Sequence, residues 1–439
     1  MSAGIVLGWT SPAITSLKEV YKPNSTLTEE EVSWVASLAP LGALLGALPA
    51  GRLADYWGRK SVLLAMTGPF LLGWVLILMH QSMVVLLYVA RFTSGVAVGA
   101  VTVVISLYNC EVAEDRVRGT VGAYLQLMIT VGILWAYVLG AFLDYYWLSL
   151  VSCAVPVIFF FSFLFMPESS LFLITRGRDE DAERSLKWLR GDHDVRPEMD
   201  RLRELLSRSS SGSVGKMSWR GPTGRAVVIT IGLMAFQQLS GINAVIFYSE
   251  RIFEDAGSTL SPSLSTIIVG VVQVLATYAS SVLVDRTGRR VLLLLSDTAM
   301  AVCLLVLSVY FFIRERHPDH VTFIAWLPLA SVVVYIVLFS LGFGPLPWFM
   351  IAEIVPAEVK GVVSAVAVCV NWALVFVVTK AFGPMVEQLG APVTFILFCA
   401  VCSTGTAFVA LFVPETKGKS LSEIQSWLER RPRQDIGKI

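Results

Sequence analysis

Runs of about twenty apolar residues, rich in Leu, Val, Ala and Gly, alternate with short polar segments along almost the whole chain. A hydrocarbon core of ~30 Å takes about 20 residues of helix. On that measure the pattern predicts membrane-spanning helices over 3–17, 33–53, 61–79, 83–107, 120–142, 148–166, 225–247, 263–284, 291–313, 323–350, 362–383 and 391–413. The runs lack the period-two alternation of an outer-membrane barrel. The expected class is therefore an all-α membrane protein with two groups of six spans. Its parts are an N-terminal six-helix bundle over 1–166, a cytosolic helical linker over 167–224, a C-terminal six-helix bundle over 225–413 and a cytosolic tail over 414–439. The first run offers only about 15 apolar residues, roughly 22 Å of helix. It reads as a truncated first helix. A cleaved signal peptide is the alternative, but no basic leader or small-residue cleavage site is visible.

Composition supports this class. Of 439 residues, 55% are hydrophobic and 15% charged, and the net charge is +1. Disorder and a nucleic-acid partner are excluded, because no basic block dominates. The six Cys lie in or beside apolar runs, so no disulfide framework is implied. With both termini in the cytosol, most Lys and Arg fall on the cytosolic side, as the positive-inside rule requires. The sequon Asn24-Ser25-Thr26 then lies outside, where Asn24 is open to glycosylation. Within the linker, Asp179 is expected to cap a helix to about Leu189. Pro197 fits the first turn of another helix, to about Leu206, and Ser207 to Gly215 reads as flexible connector.

The two groups of spans share punctuation. Gly51-x3-Asp55-x2-Gly58-Arg59-Lys60 follows span 2, and Ser281-x3-Asp285-Arg286-Thr287-Gly288-Arg289-Arg290 follows span 8. Glu111 stands seven before Arg118-Gly119, as Glu353 stands seven before Lys360-Gly361. Pro167-Glu168-Ser169 closes the first group and Pro414-Glu415-Thr416 the second. Three ordered matches at similar offsets describe a parallel repeat, an architecture that places a substrate between its halves near the midplane.

These residues carry a resemblance. Together with Arg91-x3-Gly95-x3-Gly99, Gln237-Gln238-Leu-Ser-Gly241-Ile-Asn243, Gly344-Pro345-Leu346-Pro347-Trp348, Asn371-Trp372 and Pro414-Glu415-Thr416-Lys417-Gly418, they make the chain similar to the sugar porter family of the major facilitator superfamily. Within it, Gly8 to Ala13, Gly342 to Pro345 and Thr379-Lys380 resemble the insect facilitated trehalose transporters and the related animal hexose facilitators. The resemblance implies a facilitative carrier of an uncharged sugar, trehalose before glucose or fructose, working by alternating access in the cell membrane. An endosomal or lysosomal membrane is the alternative. It further implies that Asp55, Arg59, Glu111 and Arg118 latch the first half at the cytosolic face. Asp285, Arg289, Arg290, Glu353 and Lys360 would do so in the second, and the pairs would part when that face opens. From spacing alone, the same charges also read as topology anchors and surface pairs.

The candidate substrate residues are neutral. Gln237 and Gln238 lie mid-span. Asn243 follows a Ser240-Gly241 step that invites an irregular turn. Gln126, Gln273 and Asn371 add amides from other spans. An amide both donates and accepts, which suits sugar hydroxyls, and is costly at that depth without a partner. Helix-to-helix hydrogen bonding is the alternative for any one of them. The prolines of Gly342 to Trp348 break span 10, which offers Trp348 to the C–H face of a sugar ring. Phe247-Tyr248 is a candidate outer lid. Arg91 is placed at the outer end of span 4, where snorkelling to the interface accounts for it, and Gly95 and Gly99 allow close helix approach. Gln273, Ser340, Phe247 and Leu171 depart from common family residues, which bears on the choice of sugar rather than on transport.

No cofactor, metal site or enzyme activity is expected. Gly215-Lys216-Met217 is no P-loop. His80, His193, His317 and His320 share no intramembrane cluster, and Cys399 and Cys402 lie in an apolar run. The first span contains no acid to carry a coupling proton. Asp297 is the one acid well inside a span, which keeps proton symport open. A sugar sensor that binds without flux is a further alternative, and the oligomeric state stays open.

Overall fold

Every apolar run forms helix in the computed structural model, which describes residues 1–21, 27–79, 83–114, 117–191, 194–211, 221–283, 287–317, 321, 323–419 and 421–429. The first half contains α1 (Ser2–Gly8), α2 (Thr10–Tyr21), α3 (Glu29–Trp57), α4 (Arg59–Ala65), α5 (Thr67–Met79), α6 (Val84–Val112), α7 (Arg118–Phe142) and α8 (Tyr145–Phe163). The linker forms α9 (Ser170–Thr175), α10 (Asp179–Arg190) and α11 (Arg196–Ser211). The second half contains α12 (Pro222–Leu239), α13 (Ile242–Ala256), α14 (Pro262–Leu283), α15 (Arg289–Arg316), α16 (Leu327–Leu341), α17 (Leu346–Ile354), α18 (Ala357–Leu389) and α19 (Ala391–Phe412), and α20 (Leu421–Glu429) follows. Eleven helices or joined helix pairs among the described residues are long and apolar enough to cross a membrane. The short pair α1–α2, interrupted at Trp9, adds a twelfth rod, and its start lies beside Gly132, midway along α7.

Two linker expectations need correction. Helix α11 continues through Ser207–Ser211, so the connector begins later than its Ser-rich composition suggests. Serine is only a modest helix breaker, and a helix already nucleated upstream carries such residues. Asp179 is the first residue of α10 rather than its cap; Arg178 holds the cap position, with no side-chain capping bond to the helix backbone. Asn24 and Asp285 lie outside the described residues, as does the side chain of Arg118.

Arg91 is the larger correction. It does not snorkel: its side chain is buried, with 1% of its surface exposed. Its guanidinium donates to Val35 O at 3.0 Å, Val6 O at 2.7 Å and Thr10 Oγ1 at 2.7 Å, and lies 5.2 Å from the Trp9 ring centre. The interruption between α1 and α2 frees polar groups that a continuous helix would keep for itself. Arg91 collects them and ties α1–α2, α3 and α6 together.

The bundle is joined differently at its two ends. At the end away from the linker, α3 packs on α18, α7 on α14 and α2 on α13. Polar bonds reinforce these seams. Tyr137 donates to Ile246 O at 2.7 Å and Glu250 N–H to Ser11 Oγ at 3.0 Å. Lys380 donates to Ser33 Oγ at 2.7 Å and lies over Trp34, and Arg251 pairs with Glu29. One apolar core runs through both halves there. Toward the linker end each half carries a further buried cluster of its own. The first gathers Ala54, Val62, Val104 and Phe163; the second gathers Val227, Met234, Ile351 and Val363. The described polar bonds between the halves therefore lie at the far end. In the far-end seams both candidate lid residues are buried, and Tyr248 donates to Thr379 O at 3.0 Å.

Close helix contact makes the first half rigid. A Cβ built on Gly99 would sit 1.9 Å from Ala43 O, and one on Gly95 2.1 Å from Ala39 O. Both obstacles are backbone atoms that cannot step aside. Gly99→Val is expected to destabilise the chain by about 1–3 kcal/mol, the usual cost of overpacking. This is read as a lower thermal unfolding midpoint in detergent. Gly51→Ala is the control: a Cβ there meets nothing within 4 Å, and the midpoint should stay put.

Candidate functional site

The polar centre is built where two spans break. Gln237 and Gln238 occupy the last turn of α12, and the left-handed Gly241, with φ of 90°, redirects the chain into α13. The turn is held by Tyr335 on α16, whose hydroxyl donates to Ser240 O at 3.1 Å. Across from it, the Gly342–Pro345 segment separates α16 from α17. Ser296 on α15 accepts Phe343 N–H at 3.2 Å and donates to Leu338 O at 2.7 Å. Gln237 Nε2 then donates to Phe343 O and Gly344 O, both at 2.7 Å.

The amides form one chain. Asn243 Nδ2 donates to Gln238 Oε1, Gln238 Nε2 to Gln237 Oε1 at 3.1 Å, and Asn371 Nδ2 to the same Gln237 oxygen at 3.0 Å. Gln237 thus uses both its N–H groups and accepts twice, so it is saturated by the protein. Spare capacity lies at the ends of the chain. Asn371 Oδ1 and Asn243 Oδ1 take no part in the described bonds, and Gln238 and Asn243 each keep one N–H. Such an array presents donors and acceptors with no charge, the complement of hydroxyl groups.

The other candidates stand apart from this chain. Trp348, in the first turn of α17, is partly exposed. Gln273 on α14 is buried, and its Oε1 has no hydrogen-bond partner. It lies three positions past Gly270, where α14 meets Leu134 and Tyr137 of α7. Gln126 is exposed, eleven positions before Tyr137 and hence on the same side of α7. Gln126 and Gln273 therefore flank the seam between the halves rather than join the amide chain. Asp297 is buried between α15 and α19, its Oδ2 accepting from Thr406 Oγ1 at 3.4 Å while Oδ1 has no partner.

At the linker end the two halves repeat one charged tie. Arg59 pairs with Glu111 at 2.9 Å and Asp55 at 3.0 Å, and Arg289 with Glu353 at 3.3 Å. These pairs lie within a half, as the resemblance groups them. Lys360 also has a partner interaction. Residues that spacing did not assign complete the ties. Glu168 receives the backbone N–H of Arg59 and Lys60, both at 3.0 Å, and Glu415 that of Arg289 at 2.9 Å and Arg290 at 3.1 Å. Each carboxylate therefore caps the N-terminus of the helix that carries the basic pair, where free N–H groups and the helix dipole favour an anion. Ser169 donates to Glu111 and Thr416 to Glu353. Lys60 donates to Leu164 O and Arg290 to Ala410 O. The signal for all of this was the repeated Pro-Glu-Ser and Pro-Glu-Thr. Burial pushes the Glu415 carboxyl up, but backbone N–H groups of Lys417, Arg289, Arg290 and Thr416 outweigh it and hold it below the ordinary range. Its stabilising contribution is complete above that range and is lost only as pH falls through the lowered value.

The profile of the family described as "Sugar (and other) transporter" matches residues 4–428. The facilitated trehalose transporter Tret1 of Aedes aegypti is 40% identical over 99% of this chain and 54% of its own length. The proteins of that name from Culex quinquefasciatus and Bombyx mori are each 40% identical over 97% of this chain, and 83% and 84% of theirs. The chain thus spans about half the length of the Aedes relative. Among solved structures, the inward open xylose transporter XylE from E. coli superposes with a TM-score of 0.82 at 23% identity, over 98% of each chain. The proton:xylose symporter XylE bound to 6-bromo-6-deoxy-D-glucose gives 0.77 at 23% identity, over 98% of this chain and 97% of that one. At that identity the likeness establishes the fold.

Gln237→Leu removes the donor to two buried carbonyls at once. Orphaning such groups costs about 1–3 kcal/mol each. The variant is expected to unfold at a clearly lower temperature than wild type. Gln126→Leu, an exposed position outside the amide chain, should unfold close to the wild-type temperature.

Proposed function

Because the chain belongs to the sugar (and other) transporter family, a family of carriers and not of enzymes, we propose that it moves an uncharged sugar across a membrane by alternating access. The observation that carries this reading is the neutral amide chain from Asn243 to Asn371, built on two helix breaks. Trehalose is the first choice of sugar, supported by relatives of that name at 40% identity; a hexose such as glucose or fructose is the second. The linker end, with the tail, is assigned to the cytosol, and the membrane to the cell surface. In this assignment 1–166 and 225–413 rock as two bodies, and 167–224 and 414–439 lie in the cytosol.

Each step uses groups already in place. The far-end seam between α3, α13 and α18 closes one route and leaves the other, at the linker end, open. Sugar hydroxyls meet the spare atoms of Asn371, Asn243 and Gln238, replacing bonds to water one for one. Gln237 does not reach outward; it holds Asn371 and the broken span in register. Trp348 supplies an apolar face, and Gln126 and Gln273 line the seam along which the halves move. The ties of Arg59 and Arg289 keep each half a unit while the Glu29–Arg251 pair opens and re-forms. Proton coupling is the second reading, favoured by the unpartnered Asp297 Oδ1. Asp297 nonetheless packs against Thr406 on α19, not against the amide chain.

Counterflow in proteoliposomes tests the proposal with labelled trehalose, glucose and fructose, with and without a pH gradient. Trehalose counterflow indifferent to the gradient is expected. Strict dependence on the gradient would reject facilitation, and binding without flux would make the chain a sensor. Asn243→Ala is expected to raise KM about tenfold, the loss of one hydrogen bond of roughly 1.4 kcal/mol.

A further inference from the structure

A cavity of about 490 Å³ lies at the linker end of the first half, between the ends of α3 and α8 and the face of α10. Its charged wall holds Lys60, Arg178 and Arg184 against Glu168 and Asp181. Both carboxylates are already engaged. Glu168 accepts the backbone N–H of Arg59, Lys60 and Ser169. Asp181 is held by Arg178 and Arg184, each at 2.6 Å. The cations are not used up. Lys60 gives one of its three N–H groups to Leu164 O, and the guanidiniums of Arg178 and Arg184 are largely exposed. The cavity thus offers charged donors in excess of its acceptors, the chemistry that receives a phosphate.

The rim points to the source of that phosphate. Ile158 and Phe161 are exposed on the outside of α8, and Phe165, in the turn just past its end at the cavity mouth, is 80% exposed. Trp57 and Trp188 flank the mouth and are also exposed. Such an apolar track ending in tryptophans is the surface that acyl chains and an interface cover. In the second half Glu415 makes the same tie, and the helix that follows it, α20, packs on α12 and α17. We propose that this cavity is a headgroup site for an anionic phospholipid. Its phosphate would be met by Lys60, Arg178 and Arg184, and its chains would lie along α8. The occupant would pin α10 to the bilayer beside the Arg59–Glu111 tie. The proposal is independent of the sugar carried.

The test counts lipid retained by the purified full chain, using native mass spectrometry after exchange into mixed POPC and POPG micelles. Wild type is expected to retain POPG over POPC. Lys60→Gln and Arg184→Gln should each cut POPG retention about fivefold, as for one basic residue at a charged surface. Trp188→Ala, which leaves every charge in place, should also reduce it. Arg316→Gln, a charge removed at the opposite end of the molecule in the last turn of α15, should not. Equal POPG retention in wild type and the cavity variants overturns the proposal. So does complete displacement of POPG by inorganic phosphate, which would make this a site for a soluble anion.

Discussion

Inside a bilayer no water takes up a carbonyl or amide left over where a helix breaks, and this chain breaks its helices where it needs polar chemistry. The Gly342–Pro345 interruption exposes the carbonyls of Phe343 and Gly344, and Gln237 Nε2 takes both. That commitment fixes the other end of the same amide, whose oxygen must then be served by Gln238 and Asn371. One backbone requirement therefore orders side chains from α12, α13 and α18 into a single line. The residue at its centre is spent on the protein, and those at its ends keep capacity for a ligand. Ser296 and Tyr335 perform the same service for the flanking turns.

A second backbone requirement shapes the linker end. Helices α4 and α15 each begin just after a glycine, with a basic pair and unpaired N–H groups. Glu168 and Glu415 answer both at once. Each carboxylate arrives from just past the last span of its own half, so each tie links the start of α4 or α15 to residues more than a hundred positions later. Bonds between the halves lie at the opposite end, through Arg251 and Glu29, Lys380 and Ser33, and Glu250 and Ser11. The described polar bonds between the halves thus gather at one rim, while at the other each half carries a buried cluster of its own.

Much of this was legible in the sequence, for identifiable reasons. Span positions follow from apolar run length. The turn at Gly241 follows from a Ser-Gly step between amides, and the paired ties follow from repeated punctuation. The reading failed where partners are distant. Arg91 looked like an interfacial charge because its spacing from Glu111 measures only depth. The acceptors that bury it, Val6 O and Val35 O, belong to other helices. Likewise Ser207–Ser211 reads as a connector by composition, yet it extends a helix nucleated upstream.

The sequence by itself determined the class of the molecule: the number and place of its apolar rods, their repeat, and a neutral set of polar residues at depth. It could do so because crossing a bilayer is a requirement on each segment separately, met or failed within about twenty residues. Only the tertiary structure decided which amides are spent and which remain available, that Glu168 and Glu415 complete the charged ties, and where the polar bonds between the halves lie. Those outcomes depend on hydrogen bonds between residues more than a hundred positions apart, whose saturation no local pattern records.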